Sequence, residues 1–194
     1  MATSPTTKGP SLSKILVPIA VLLMLIISGL AAIKLTLNTS LNSNPAALNL
    51  ETGMEAPLPD VSLTQLDGKT VKLSELKAKV FLVNFWATWC DACMEEMDSL
   101  VKLRENYKDK GFEILGVNLD ENPASMVPKV SKQYGIEFPV FVDPEGKLAE
   151  LFNVRAIPLS VVINSERKIL LVKDGEQDWF APEMRSELEH WLNP

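Results

Sequence analysis

Cysteine occurs twice in the 194-residue sequence, at positions 90 and 93, and histidine once, at 190. That scarcity excludes much of metal and hydrolytic chemistry. A structural zinc site ordinarily takes four Cys or His ligands, and His190 is far along the chain from the two thiols. Covalent haem attachment wants a histidine directly after the second cysteine, where Met94 stands. A cysteine hydrolase lacks a well-placed base for the same reason. As a structural staple, a bridge across two residues closes too small a loop to restrain much chain. Thiol-disulfide exchange remains, with no metal and no cofactor expected.

Acidic residues are missing from the first 50 positions, where Lys8, Lys14 and Lys34 are the only charges. The rest of the chain holds 16 basic and 25 acidic residues, a net of −9, which argues against nucleic acid or an anionic lipid surface as partner. Charge disappears altogether from Ile15 to Ile33, 19 residues reading ILVPIAVLLMLIISGLAAI. That length crosses a hydrocarbon core of roughly 30 Å as a helix. Lysines before it and no acid place residues 1–14 in the cytoplasm and export the chain beyond the span. A buried core helix and a signal peptide cut after Ala31 are the alternatives. The run exceeds the roughly 7 to 15 residues of a signal core, which favours an uncleaved anchor over 15–33. Lipidation on cysteine is excluded there, because the segment has none.

Residues 34–52 are rich in Asn, Ser and Thr, which compete for local backbone bonds, and read as a flexible tether. With no internal repeat beyond it, residues 53–194 are expected to form one domain. Val61–Gln65 and Thr70–Leu73 flank Asp67-Gly68 as a hairpin. The apolar run Val80–Phe85 reads as a strand covered on both faces, and Phe112–Leu119 as a second. Between them Asp91–Lys110 carries Met97, Leu100, Leu103 and Tyr107 at helical spacing and stops at Gly111. A helix starting between Pro123 and Pro128 ends at Gly135. Strands over 138–142, 158–163 and 168–173, a short helix over 148–152 and a final helix over 182–192 complete a mixed α/β pattern.

The dithiol sits where the first buried strand hands over to the long helix. Unpaired N–H groups and the helix dipole favour negative charge there, so Cys90 is placed as a thiolate nucleophile and Cys93, one turn on, as the resolving thiol. Glu96 lies three residues beyond Cys93 and so near it on the helix, whereas Glu95 points elsewhere. A carboxylate there either relays the Cys93 proton or is simply solvated. Trp86 reads as core, and Trp89 as part of an exposed rim where a partner docks.

FWATWCDAC, with PLPDVSLTQLDGKTVKLSEL before it and AIPLSVVIN after it, resembles thioredoxin-like proteins of the TlpA/ResA type over residues 53–194. The resemblance implies a thioredoxin-like α/β fold: a central mixed sheet flanked by helices, with an N-terminal hairpin and a helical insertion, preceded by one transmembrane helix. It implies a membrane-anchored, extracytoplasmic disulfide reductase, often serving cytochrome c maturation. Protein disulfides, apocytochrome c among them, would be its substrates and a transmembrane thiol carrier its electron donor. By the same resemblance Pro158 matches a cis-proline facing the dithiol, Ile157 pairs its backbone with an extended substrate, and Glu96 is a functional residue.

Two departures bear on direction. Asn84 stands where cytoplasmic thioredoxins carry a buried aspartate, which strengthens the case for Glu96. Asp91 puts a negative charge beside Cys90, and Met94 offers no compensating cation, which favours a reducing couple. An oxidant that introduces disulfides, a peroxide-reducing relative and a non-catalytic tethered module are the rival readings.

Overall fold

The computed structural model describes Met24, Leu48 and residues 50–194. The expected cytoplasmic segment 1–14 and membrane span 15–33 lie outside the described residues, apart from Met24, which is helical. Among the described residues no helix is long and apolar enough to cross a membrane. The chain divides into two units, Met1–Pro45 and Ala46–Pro194, and the second contains a sheet with helices packed on it.

Along that unit run β1 (Ser62–Thr64), β2 (Thr70–Lys72), β3 (Val80–Trp86), α1 (Asp91–Tyr107), β4 (Phe112–Asn118) and α2 (Pro123–Tyr134). After them come β5 (Val140–Val142), α3 (Lys147–Leu151), β6 (Leu159–Asn164), β7 (Ile169–Asp174) and α4 (Pro182–Leu192). Five strands form one sheet in the order β5-β4-β3-β6-β7. β3, β4 and β5 are parallel, while β6 pairs antiparallel with both β3 and β7, so the sheet is mixed as expected. β1 and β2 form the expected hairpin, and Gln65 at its turn bridges to Phe141 on the sheet edge.

All seven residues of β3 are buried, because the sheet is covered on both faces. Val80, Leu82 and Trp86 face a layer that includes Met97, Leu100 and Leu103 of α1 and Leu188 of α4. Phe81, Val83 and Phe85 face the opposite layer, with Leu63 and Phe152. Each fully buried side chain of this size contributes about 1.5 to 3 kcal/mol. Asn84 falls on the first of these faces by strand alternation, so a polar amide is directed toward α1. Its neighbour on β4 is Gly116, where a Cβ would stand 2.8 Å from Phe138 Cε2 and 3.1 Å from Trp86 Nε1. Only glycine lets those two rings close over the strand.

Helix ends match their punctuation. α1 gives way to a single 3-10 turn and then to Gly111, whose φ of 98° costs glycine nothing. α2 starts at Pro123 and keeps Pro128 inside it. Pro128 is exposed, so the carbonyl left without its helix bond faces solvent. One expectation needs correcting. The end of the supposed tether is docked: Leu48 N–H donates to the Leu151 carbonyl at 2.7 Å, and Thr52 Oγ1 accepts from Val172 N–H at 3.0 Å. Leu48 and Leu50 lie against the layer that holds Phe152, so the compact unit starts ahead of residue 53. Two leucines among polar residues find an apolar layer to cover, which composition averaged over 34–52 conceals.

Candidate active site

The site is built at the C-terminal end of β3. Leu119 N–H donates to the Trp86 carbonyl at 2.9 Å, and Thr88 N–H donates to Asp120 Oδ1 at 3.1 Å. Asp120 is itself held by Asn118, whose Nδ2 donates to Asp120 Oδ2 and whose Oδ1 accepts from Asp120 N–H, both at 3.1 Å. The end of β4 thus fixes the loop that delivers Cys90. Cys90 caps α1: its backbone is extended, and its Sγ accepts from Cys93 N–H at 3.2 Å. A sulfur in that position feels both a donated hydrogen and the positive end of the helix dipole, which favour its thiolate. Cys90 and Cys93 are joined as a disulfide. Cys90 keeps 8% of its surface open and Cys93 none, so an incoming sulfur reaches Cys90 first.

Opposite the dithiol, the Ile157–Pro158 bond is cis, and the Ile157 carbonyl oxygen lies 3.8 Å from Cys90 Sγ. Leu159 pairs with Phe85, which sets Pro158 beside the end of β3. Ile157 N–H bonds to no group among the described residues. Trp89 is 69% exposed next to Cys90, while Trp86 is fully buried.

Glu96 occupies a core position on α1, in line with Cys93, Met97 and Leu100, and is only 2% exposed. Three N–H groups point at it. Asn84 Nδ2 donates to Oε1 at 2.8 Å, and Trp179 Nε1 and Gln177 N–H donate to Oε2 at 3.0 and 3.2 Å. Burial raises its pKa above the ordinary glutamate range, against the pull of those donors, and Glu176 nearby pushes the same way. The surroundings are built for the carboxylate yet too dry to hold it freely. Asn84 also donates to Ser160 Oγ at 3.0 Å, and its Oδ1 has no donor among the described residues.

The site residues expected from the sequence are therefore at one place: Cys90 at the N-cap of α1, Cys93 and Glu96 within it, Trp89 just ahead of them, Ile157 and Pro158 across from Cys90. Asp120, Ser160, Gln177 and Trp179 were not anticipated. They come from loops and strands up to about 80 residues away from the groups they bond, and no spacing in the sequence links them. Among the described residues no group of three or more His, Cys, Asp or Glu side chains is placed to hold a metal.

A family model described as Redoxin matches residues 52–189. The thiol-disulfide oxidoreductase ResA of Bacillus cereus (strain ATCC 10987 / NRS 248) is 34% identical over 172 residues, covering 89% of this chain and 92% of its own. The chain belongs to the Redoxin family, among the ResA-type thiol-disulfide oxidoreductases. ResA of Bacillus subtilis (strain 168) is also 34% identical, over 117 residues that cover 60% of this chain and 65% of that one. Among solved structures, a chain from Chlorobium tepidum assigned as a thiol:disulfide interchange protein DsbE superposes with a TM-score of 0.65. It is 31% identical, and the match covers 75% of this chain and all of that one. A thiol:disulfide interchange protein from Bacteroides sp., 24% identical with a TM-score of 0.62 over 76% and 93% of the two chains, shares the fold. The fold is thioredoxin-like, and the enzyme is a thiol-disulfide oxidoreductase with a Cys-X-X-Cys pair.

Proposed function

We propose that this chain is an extracytoplasmic protein-disulfide reductase, held at the outer face of a bacterial cytoplasmic membrane by residues 15–33. The observation that carries the reductase reading is a shielded Cys93 one helical turn from the buried carboxyl of Glu96, with an open Cys90 capping the helix. In the reduced enzyme the Cys90 thiolate attacks one sulfur of a substrate disulfide. The substrate S–S bond breaks, and the departing thiolate takes a proton from water. The Cys93 thiol then passes its proton to Glu96, and the new thiolate attacks Cys90 Sγ. That breaks the mixed disulfide, and the second substrate thiolate leaves as a thiol once reprotonated. Two electrons have reached the substrate, and the enzyme ends as the Cys90–Cys93 disulfide.

Resetting the pair needs two electrons from another dithiol, for which a transmembrane thiol carrier suits an anchored enzyme. Protein disulfides outside the cytoplasm are the substrate class, apocytochrome c cysteine pairs among them. Trp89 offers the docking rim, and Ile157 and Pro158 the backbone edge along which the substrate lies. Exposed Asp91 beside Cys90 opposes the thiolate and so stabilises the disulfide form of the enzyme, which makes the couple more reducing. Lys8 and Lys14 ahead of the apolar run support the orientation.

Cys90→Ser is expected to abolish reduction of insulin disulfides, and Cys93→Ala to leave substrate covalently attached to Cys90, identifiable by mass in the native host. Equilibration with glutathione reads the direction: a potential near that of a strong periplasmic oxidant, about −120 mV, overturns the reductase reading. Protease added to spheroplasts is expected to digest residues 53–194, and their full protection would overturn the compartment.

A further inference from the structure

Glu96 is not held by its own helix. Two of its three hydrogen bonds come from residues 175–180, the connection from β7 to α4. A hydroxyl on α1 also fastens that connection: Ser99 Oγ donates to the Glu96 carbonyl at 2.7 Å and accepts from Trp179 N–H at 3.0 Å. Ser99 Oγ also lies 3.4 Å from the Gln177 carbonyl. Trp179 is fully buried, so its indole N–H is sealed from water on the side where it meets Glu96. The other groups in contact with the carboxyl, Asn84 and behind it Ser160, carry no charge. The charge that acts on Glu96 is that of Glu176 on the same connection, which lies beside Glu95.

We propose that Trp179 and Ser99 are positioning residues of the redox site: Ser99 pins the 175–180 connection onto α1 so that the Trp179 indole N–H holds the Glu96 carboxylate, and this bond sets the pH at which Cys93 resolves a mixed disulfide. The inference rests on the proton-accepting role assigned to Glu96 above. A hydrogen bond to a buried carboxylate favours its ionised form, and burial magnifies that preference. Removing the N–H leaves the ring to fill its cavity but makes Glu96 hold its proton to higher pH. A protonated Glu96 cannot take the proton of Cys93, so resolution slows over that added range of pH.

Acid-quenched single turnovers of the reduced full-length chain with a disulfide-linked peptide, from pH 5 to 9, separate mixed disulfide from released thiol by mass. Trp179→Phe is expected to move the inflection of the resolution step upward by about one to two pH units, the size of one hydrogen bond to a charged group. Ser99→Ala should move it the same way, and Ser99→Thr should restore it. Glu96→Gln should flatten the profile, and Trp179→Phe added to Glu96→Gln should change nothing further. If Glu96→Gln flattens the profile while Trp179→Phe leaves the wild-type inflection within about 0.2 unit, the positioning role is refuted and that of Glu96 stands. If Glu96→Gln retains the wild-type inflection, the proton-accepting role of Glu96 fails and the inference with it. A drop in melting temperature without a shift of inflection counts against the proposal, since a merely structural tryptophan would give that result.

Discussion

Asn84→Asp tests how tightly the Glu96 carboxyl is confined. Asn84 Nδ2 donates to Glu96 Oε1 at 2.8 Å, and both residues are buried. The substitution keeps the size of the side chain and exchanges a donor for an acceptor, so two carboxylates face each other across the same gap. With both ionised at 2.8 Å, their repulsion is about 6 kcal/mol at an effective dielectric constant of about 20. That corresponds to about four pH units of proton affinity, so the folded pair keeps one proton through neutrality while the unfolded chain has lost both. A carboxyl whose folded pKa is raised lends its full stability below the unfolded carboxylate range and loses it as pH rises. Between pH 5 and pH 8 the variant should therefore lose stability at about 1.4 kcal/mol per pH unit, exceeding wild type from the pH at which the raised wild-type Glu96 carboxyl ionises. Guanidinium unfolding of the oxidised full-length chain in non-ionic detergent, followed by circular dichroism at each pH, measures that difference. If it changes by less than about 1 kcal/mol across the window, the two side chains do not share a dry site, and the confinement of Glu96 argued from its contacts is wrong.

The same geometry gives two further expected outcomes. Trp89→Ala removes a ring that is 69% exposed, so unfolding should change by less than about 0.5 kcal/mol, while KM for a disulfide-linked peptide rises several-fold. An unchanged KM in steady-state assays would remove Trp89 from the docking rim. Gly116→Ala forces a methyl to within 2.8 Å of Phe138 and 3.1 Å of Trp86, and should cost about 1 to 3 kcal/mol of stability by thermal unfolding. A melting temperature equal to wild type would show that the two rings have room to retreat.

What the sequence made legible was local. Cys90 and Cys93 at a strand-to-helix handover, Asp67-Gly68 in its hairpin and Gly111 after the long helix are all read from neighbours within a few positions, and the structure has each of them in place. The cis bond at Pro158 came from resemblance, since a bare X-Pro pair does not declare its isomer. The supports of the site were not legible. Trp179 reaches Glu96 from 83 residues away, and Thr88 meets Asp120 across 32, so their pairing exists only once β3 lies between β4 and β6. Leu48 and Leu50 escaped for the opposite reason: a polar segment hid two residues whose partners are supplied by the folded domain.

The exchange of an amide on β3 for an acid on α1 has a physical consequence. An acid at position 84 would sit on the sheet, and its distance from Cys93 would depend on how α1 packs across it. Glu96 is instead one turn from Cys93 on the same helix, with Cβ atoms about 5 to 6 Å apart by helical geometry alone. Their separation is covalently governed, and small shifts between sheet and helix leave it unchanged. The amide at Asn84 then serves as a donor, bridging Glu96 to Ser160 on β6, the strand directly after cis Pro158. Protonation weakens what Asn84 Nδ2 gains from Glu96, while the bare Oδ1 of the same amide is ready to accept if the amide turns over. Asn84, on the central strand β3, thus hydrogen-bonds both the acid on α1 and the hydroxyl on β6.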